Sequence, residues 1–268
     1  MDLLQALILG LVEGITEYLP VSSTGHLLMA QRLLGIPVDA ASNGYAIAIQ
    51  SGAILAVLGV YHQRIGFVTA GVLRGDGSAL RLALCVLLAF LPAAAVGVVF
   101  EAWIESHLFG RTPIIAAWLA GALAIVLLGN WVERRREGLD VLHLSYRAAL
   151  LIGLLQCVAM WPGTSRSLVT ILAGLLVGLS LAAAVEFAFL LGLLTLTAAT
   201  VYTALQGGDA MIAAYGWPVL LAGFFAAWLS AALAVKWMVG WLNTHGLLLF
   251  AGWRVAAAGA ALLLLPAG

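Results

Sequence analysis

Charged residues are scarce in this chain. Only 9% of its 268 residues are Asp, Glu, Lys or Arg, whereas 64% are hydrophobic. A soluble domain carries roughly 25% charged residues, so the composition excludes an ordinary water-facing surface and predicts an all-α, polytopic membrane protein. The formal net charge is zero, so there is no overall positive field to attract nucleic acid, and no nucleic-acid partner is expected.

Cysteine and long polar loops are rare as well. Cys85 and Cys157 both lie in apolar runs and neither belongs to a CxxC pair, so we expect small buried residues rather than a structural disulfide. The lack of a long polar segment makes a scaffold for soluble partners the weakest of the functional alternatives.

Long apolar stretches dominate what remains. About 20 apolar residues are needed to cross the hydrocarbon core as a helix. Six stretches predict such spans, at about 44–61, 82–100, 113–132, 182–204, 217–239 and 247–266.

Two further apolar regions are interrupted by polar residues. Residues 3–35 contain Glu13, Glu17 and a polar loop at 20–26, and residues 148–179 contain a polar loop at 162–167. Irregular backbone at membrane depth is tolerated only where it is buried in protein or lines a wet cavity. Each region therefore predicts a re-entrant hairpin of two short helices that enters and leaves on the same side.

The two interrupted regions resemble each other. Residues 8–14 can be aligned with residues 151–157, and a proline followed by a Ser/Thr-rich loop comes after each. We therefore expect one integral membrane domain, 1–268, with repeat halves at about 1–140 and 141–268, each a re-entrant hairpin plus three spans. Because three is odd, the halves would have inverted topology, an arrangement that places a site near the midplane where broken helices meet.

Basic residues are distributed unevenly between the two predicted faces. One face carries the loops at 62–81 and 133–147, which are rich in arginine, whereas the other face has only Arg111 and Arg32. The arginine-rich face should therefore be cytoplasmic. The mouth of the first hairpin would then open to the outer face. The arginines of the cytoplasmic loops at 62–81 and 133–147 are Arg64, Arg74, Arg81, Arg134, Arg135, Arg136 and Arg147.

Glu13 and Glu17 are four residues apart, which places both carboxylates on one face of a helix. Acidic residues inside a membrane segment are costly and usually functional. Two like charges one turn apart repel, so they require a cation or a shared proton. A divalent cation, Ca²⁺ or Mg²⁺, would relieve the repulsion and could bridge to a phosphate. The alternative is a hydrated pair near the interface.

The loop after Glu17 carries Ser22, Ser23, Thr24 and His26. His26 alone would more often be a satisfied polar residue than a catalyst. Beside three hydroxyls it becomes a candidate proton carrier or nucleophile, because its charge changes near neutral pH.

The second loop combines the components of an anion site. Gly163 permits close approach of the backbone, and the hydroxyls of Ser165 and Ser167 and the following helix N-terminus supply donors. Arg166 adds a planar guanidinium that suits phosphate oxygens. The alternative is a capped helix start with a snorkelling arginine.

These two motifs resemble the signatures of a known family. The run from Glu13 to His26, EGITEYLPVSSTGH, resembles the N-terminal signature of bacterial undecaprenyl-diphosphate phosphatases of the bacitracin-resistance type. The run from Trp161 to Thr170, WPGTSRSLVT, resembles the second signature of that family, and residues 49–57 are similar to its linking run.

The resemblance implies hydrolysis of undecaprenyl diphosphate to the monophosphate at the bacterial inner membrane, assisted by a divalent cation. It assigns the paired acids to Glu13 and Glu17, and the phosphate-binding Ser-Arg to Ser165 and Arg166. On this basis Ser23 is the first choice for the nucleophile, with His26 and Glu17 handling protons, while direct attack by His26 or water stays open. The further phosphate-binding candidates are Ser22, Thr24, Gly163, Ser167 and Thr170.

The main alternative from another class is a transporter or flippase for a polyprenyl phosphate lipid. Inverted repeats, broken helices and acids near the midplane would all suit alternating access. A carrier needs to bind phosphate but needs no nucleophile, so the hydroxyl cluster favours the enzyme. The partners expected are the polyprenyl diphosphate lipid and the bilayer, and the oligomeric state is left open, with a homodimer among the alternatives.

Overall fold

The computed structural model describes residues 1–37, 39–133 and 137–265. Its regular structure is helical and, within these ranges, includes no β-strand, which confirms the all-α prediction. In the first half the helices are α1 (Leu3–Thr16), α2 (Ser23–Leu33), α3 (Ala40–Val60), α4 (His62–Arg74), α5 (Gly77–Leu108) and α6 (Arg111–Glu133). In the second half they are α7 (Tyr146–Gln156), α8 (Arg166–Leu176), α9 (Leu181–Thr244) and α10 (Leu248–Leu264), with short 3-10 helices at Val141–His143 and Cys157–Met160.

Several of these helices are long and apolar enough to cross a bilayer. In the described ranges there are five such segments, Ala41–Val60, Gly77–Leu108, Arg111–Leu128, Leu181–Leu205 and Met211–Leu242. Large apolar side chains such as Leu87, Leu123 and Leu233 are exposed on them, as expected for helices that face lipid. The chain is a multi-pass membrane protein. The sixth predicted span contains α10, a shorter helix of 17 residues.

Two helix–loop–helix hairpins form where the sequence interrupts its apolar runs. α1 begins at a capping box in which Asp2 and Gln5 exchange hydrogen bonds of 2.8 and 2.9 Å. α2 and α8 each have 11 residues, or about 16 Å of helix, roughly half the hydrocarbon thickness. Each follows a serine with positive φ, Ser22 at 74° and Ser165 at 75°. Such a conformation is costly for a residue with a Cβ and clusters at functional sites.

The first hairpin is held by close packing of α1 against the second span of α9. A Cβ at Gly10 would collide with the carbonyl oxygen of Gly223, and a Cβ at Gly14 would collide with Ala227 and Ser230. Small residues four apart let two membrane helices approach to backbone contact. This packing fixes the depth at which the first loop lies.

α9 contains two of the three predicted spans of the second half and reverses between them. Glu186 and Leu242 line the same cavity, whereas a straight helix would separate them by about 80 Å. Between the two spans Gly216 has a φ of 73° and Pro218 follows it, a left-handed backbone conformation that a regular α-helix does not contain.

The predicted connection at 62–81 contains a helix that the apolar runs did not indicate. His62–Arg74 form α4, which ends at Gly75 in the left-handed conformation. Ile65 and Val68 of α4 pack against the main core, so burial of one apolar face stabilises this helix. Arg134, Arg135 and Arg136 lie outside the described residues.

Candidate active site

The tips of the two hairpins contact each other. The main-chain N–H of Gly163 donates to the hydroxyl of Ser22 at 3.1 Å, and the hydroxyl of Ser167 donates to the carbonyl of Leu19 at 3.0 Å. Residues more than 140 positions apart in sequence are thereby brought into one site. The predicted site residues of both loops therefore lie together.

Glu17 joins the two tips electrostatically. Its Oε1 accepts from Nη2 of Arg166 at 2.8 Å, and its Oε2 accepts from the hydroxyl of Ser23. The side chains of Arg166 and Glu17 are only 14% and 5% exposed. A hydroxyl that donates to a buried carboxylate has the arrangement of a nucleophile and its general base.

Arg166 has donor capacity left after pairing with Glu17. Its Nη1 is buried without a hydrogen-bond partner among the described residues, and its Cζ lies 5.7 Å from the centre of the Tyr18 ring. A Cβ at Gly192 would occupy the position of Nη1, so the glycine makes room for the guanidinium. A buried donor without a partner is costly and indicates a missing acceptor such as a phosphate oxygen.

Glu13 lies one helical turn before Glu17 and is fully buried. Neither of its carboxylate oxygens accepts a hydrogen bond in the described part of the chain. A buried carboxyl this close to that of Glu17 fits either a proton shared by the pair or a hard divalent cation. In the described ranges, at this site and away from it, no three His, Cys, Asp or Glu side chains come together as metal ligands. Any such ion would therefore take its other ligands from phosphate and water.

Two helix N-termini meet at the tips. α2 begins at Ser23 and α8 begins at Arg166, so the first N–H groups of both helices have no partners within their own helix. Ser165 caps α8 by accepting from the N–H of Leu168 at 3.2 Å, and its hydroxyl lies 3.0 Å from that of Ser167. Helix N-termini bind anions through these N–H groups and the helix dipole.

The two threonines of the motifs differ in their surroundings. Thr24 is half-buried in the first turn of α2. The hydroxyl of Thr170 donates to the carbonyl of Arg166 at 2.8 Å, so it stabilises the first turn of α8. Thr170 thus supports the residue that carries the guanidinium.

His26 is in the site but has other partners. Its Nδ1 lies 2.7 Å from the carbonyl of Ser22, and its Nε2 accepts from the indole N–H of Trp253 at 2.9 Å. A carbonyl can only accept, so the ring carries its proton on Nδ1 in this arrangement. Among the hydrogen bonds of the described residues, none joins the side chains of His26 and Ser23. The geometry places His26 as a brace for the first tip.

Several site residues could not be inferred from the two motifs. Trp118 of α6 donates to the carbonyl of Val21 at 3.0 Å. In α10, Trp253 donates to His26 of the first hairpin, and Arg254 donates to carbonyls of both tips. The sequence position of Arg254 could have marked it as a candidate, because an arginine in the middle of an apolar segment is itself an indication of function.

Comparison with known proteins agrees with this geometry. Residues 6–260 match the family described as bacitracin resistance protein BacA. Among curated relatives, "Undecaprenyl-diphosphatase 1" of Chromobacterium violaceum is 42% identical over 257 residues, covering 95% of this chain and 93% of the relative. "Undecaprenyl-diphosphatase" of Cereibacter sphaeroides is 40% identical over 267 residues, covering 99% of this chain and 97% of the relative. "Undecaprenyl-diphosphatase" of Sorangium cellulosum is 42% identical over 254 residues, covering 94% of this chain and 82% of the relative. The chain belongs to the bacitracin resistance protein BacA family.

Proposed function

We propose that this chain hydrolyses undecaprenyl diphosphate to undecaprenyl phosphate and inorganic phosphate, which recycles the lipid carrier of cell-wall synthesis. The single observation that carries the proposal is the buried array in which Glu17 accepts from both Ser23 and Arg166. It places a nucleophile, its base and a phosphate-binding guanidinium in contact. The names of the relatives agree with this chemistry.

The proposed first step is attack by Ser23 on the terminal phosphorus. The Ser23 Oγ–P bond forms and the bridging P–O bond breaks, while Glu17 takes the hydroxyl proton and passes it to the departing oxygen of undecaprenyl phosphate. Glu17 is then a carboxylate again before water enters. Water then attacks the phosphoserine, giving a proton to Glu17, and inorganic phosphate leaves as Ser23 regains its proton. Each step moves one proton through the same carboxylate.

The same site supplies positive potential where negative charge develops. Nη1 of Arg166 has no acceptor among the described residues, and the N-termini of α2 and α8 present main-chain N–H groups. Such fixed donors stabilise a transferring phosphoryl group without reorganisation. Gly163 with a φ of 96° belongs to the loop that leads into α8.

A divalent cation fits beside this array, held by Glu13 together with Glu17. When bound, it would supply Lewis-acid stabilisation of the phosphoryl oxygens. Glu13 would offer both of its oxygens to the ion, and Glu17 would share the ion while its Oε2 takes the proton of Ser23.

Chelation is expected to abolish most phosphate release, because Glu13 would be left without its counter-charge. Replacing Glu13 with Gln removes the negative charge that would bind the cation, and we expect the variant to lose its response to added Ca²⁺ or Mg²⁺. The measurement is inorganic phosphate release in EDTA, followed by titration of each metal. A Glu137→Gln variant, which changes an exposed acid, should respond as the parent does. Full activity in EDTA would contradict the metal role.

The proposed membrane arrangement is an inverted repeat in which each hairpin packs against a helix of the other half. Gly10 of α1 contacts Gly223 of α9, and the aligned Gly153 of α7 contacts Ala89 of α5. The matched φ values at Ser22 and Ser165 support the same relation.

We further propose that the site opens to the outer face of the bacterial inner membrane. Trp118 contacts the first tip. It lies about 10 Å along α6 from Arg111, which begins the helix at the face of the protein that has few basic residues. The arginine-rich end would be cytoplasmic. The apolar tail of the substrate would lie among the lipid-facing helices.

The decisive experiment is phosphate release by the purified protein in detergent micelles, without vesicles or gradients. A phosphatase should release inorganic phosphate from a prenyl diphosphate under these conditions, whereas a transporter or flippase leaves the anhydride bond intact. A Ser23→Ala preparation, purified in parallel, measures contaminating phosphatase. Release that is absent, or equal in the two preparations, would refute the proposed function.

A further inference from the structure

Arg254 is fully buried in the middle of α10, and its guanidinium donates to main-chain carbonyls. Within the described part of the chain no carboxylate pairs with it. The acceptors are the carbonyl oxygens of Trp118 (3.1 Å, from Nε), Pro20 (3.1 Å, from Nη1), and Ala117 (3.1 Å), Gly163 (2.8 Å) and Thr164 (3.0 Å, all three from Nη2). One side chain thus bonds to α6 and to both hairpin tips.

The position of these carbonyls in the tips is informative. Pro20 is three residues before Ser23, and Gly163 and Thr164 directly precede Ser165 and Arg166. We propose that Arg254 is a positioning residue that sets the distance between the tip carrying the nucleophile and the tip carrying the phosphate clamp. This inference rests on the proposed function.

Arginine is unusually suited to this place. A buried charge without an ionic partner is costly, and apolar packing could have joined the helices more cheaply. A planar guanidinium, in contrast, presents five N–H groups in fixed directions and can hold several carbonyls at once. A Cβ at Gly121 would collide with the guanidinium, so α6 leaves space for it. Because all three guanidinium nitrogens of Arg254 already donate to main-chain carbonyls, Arg254 acts through the tips and not on the substrate itself.

The test is steady-state kinetics of Arg254→Gln and Arg254→Lys in micelles, expressed per folded protein. We expect kcat to fall by about 10²-fold in Arg254→Gln, the cost of a displacement of about 1 Å at the reacting groups. KM should change little, because the prenyl tail binds elsewhere. Arg254→Lys should recover only part of kcat, since one ammonium cannot reach both tips.

The matched control is Arg111→Gln. Arg111 also joins α6 to α10 through a main-chain carbonyl, donating to Leu262 at 2.6 Å, but at the far end of the helix pair. It should retain parental kcat. A merely structural role for Arg254 would lower the unfolding temperature while kcat per folded protein stayed at the parental value, and that result would overturn the proposal.

A second variant keeps the test decisive if both Arg254 variants fail to fold. Gly121→Ala retains the charge but displaces the guanidinium, and we expect a loss of kcat with KM little changed. Parental kcat in folded Gly121→Ala would also overturn the proposal. If parent and Arg111→Gln release no phosphate, the proposed function itself fails, which is a different outcome.

Discussion

Replacing Arg166 with Ala is expected to lower phosphate release by about 10³-fold or more, the range found for arginines that stabilise phosphoryl transfer. Such a loss corresponds to about 4 kcal/mol of transition-state stabilisation. The physical reason is that Nη1 of Arg166 is a buried donor with no acceptor among the described residues, so we expect its hydrogen bond to form when phosphate is bound. The measurement is kcat and KM for phosphate release in micelles.

Two variants separate loss of the clamp from loss of the fold. Arg166→Lys keeps the charge near Glu17 but loses the planar fork, so it should remain far below the parent. Arg64→Ala removes another arginine that pairs with a glutamate, Glu186, in a less buried place, and should retain near-parental turnover. Near-normal turnover by folded Arg166→Ala would remove the phosphate-clamp role.

Much of the fold could be predicted from local patterns. The apolar runs gave the long helices, and the polar interruptions gave the hairpins, with α2 beginning at Ser23 and α8 at Arg166. Both patterns act locally, because the bilayer sets helix length and irregular backbone must be sheltered. α4 escaped prediction since its stability comes from packing of Ile65 and Val68 on the core, which is a tertiary effect.

The candidate site, too, was predictable only where local motifs indicated it. The motifs supplied Glu13, Glu17, Ser23 and Arg166 as candidates, because these residue types carry the chemistry. They could not show that Arg254 binds carbonyls at Pro20 and Gly163, which are 234 and 91 positions away.

His26 shows the limit most clearly. Its residue type predicts proton transfer, yet Ser22 and Trp253 engage both ring nitrogens. Its role as a proton carrier stays a prediction, and the contacts favour a bracing role.

Replacing Ser23 with Ala is expected to lower kcat by at least about 10³-fold, because loss of a nucleophile removes the covalent route. Glu17→Gln should cause a comparable loss, and the double variant should be little worse than either single one, since residues acting as a unit are not additive. Ser106→Ala, which removes an exposed hydroxyl on α5, is the matched control and should keep parental kcat.

The intermediate itself distinguishes attack by serine from attack by water. Acid quenching during turnover, followed by mass spectrometry, should find phosphate on Ser23 in the parent and none in Ser23→Ala. Near-parental turnover in Ser23→Ala would exclude the serine as nucleophile. A large loss without phosphate on Ser23, or on His26 after an alkaline quench, would instead assign the attack to water. Ser23 would then orient the water and Glu17 would still be the base, since the hydroxyl and the carboxylate are in contact in either mechanism.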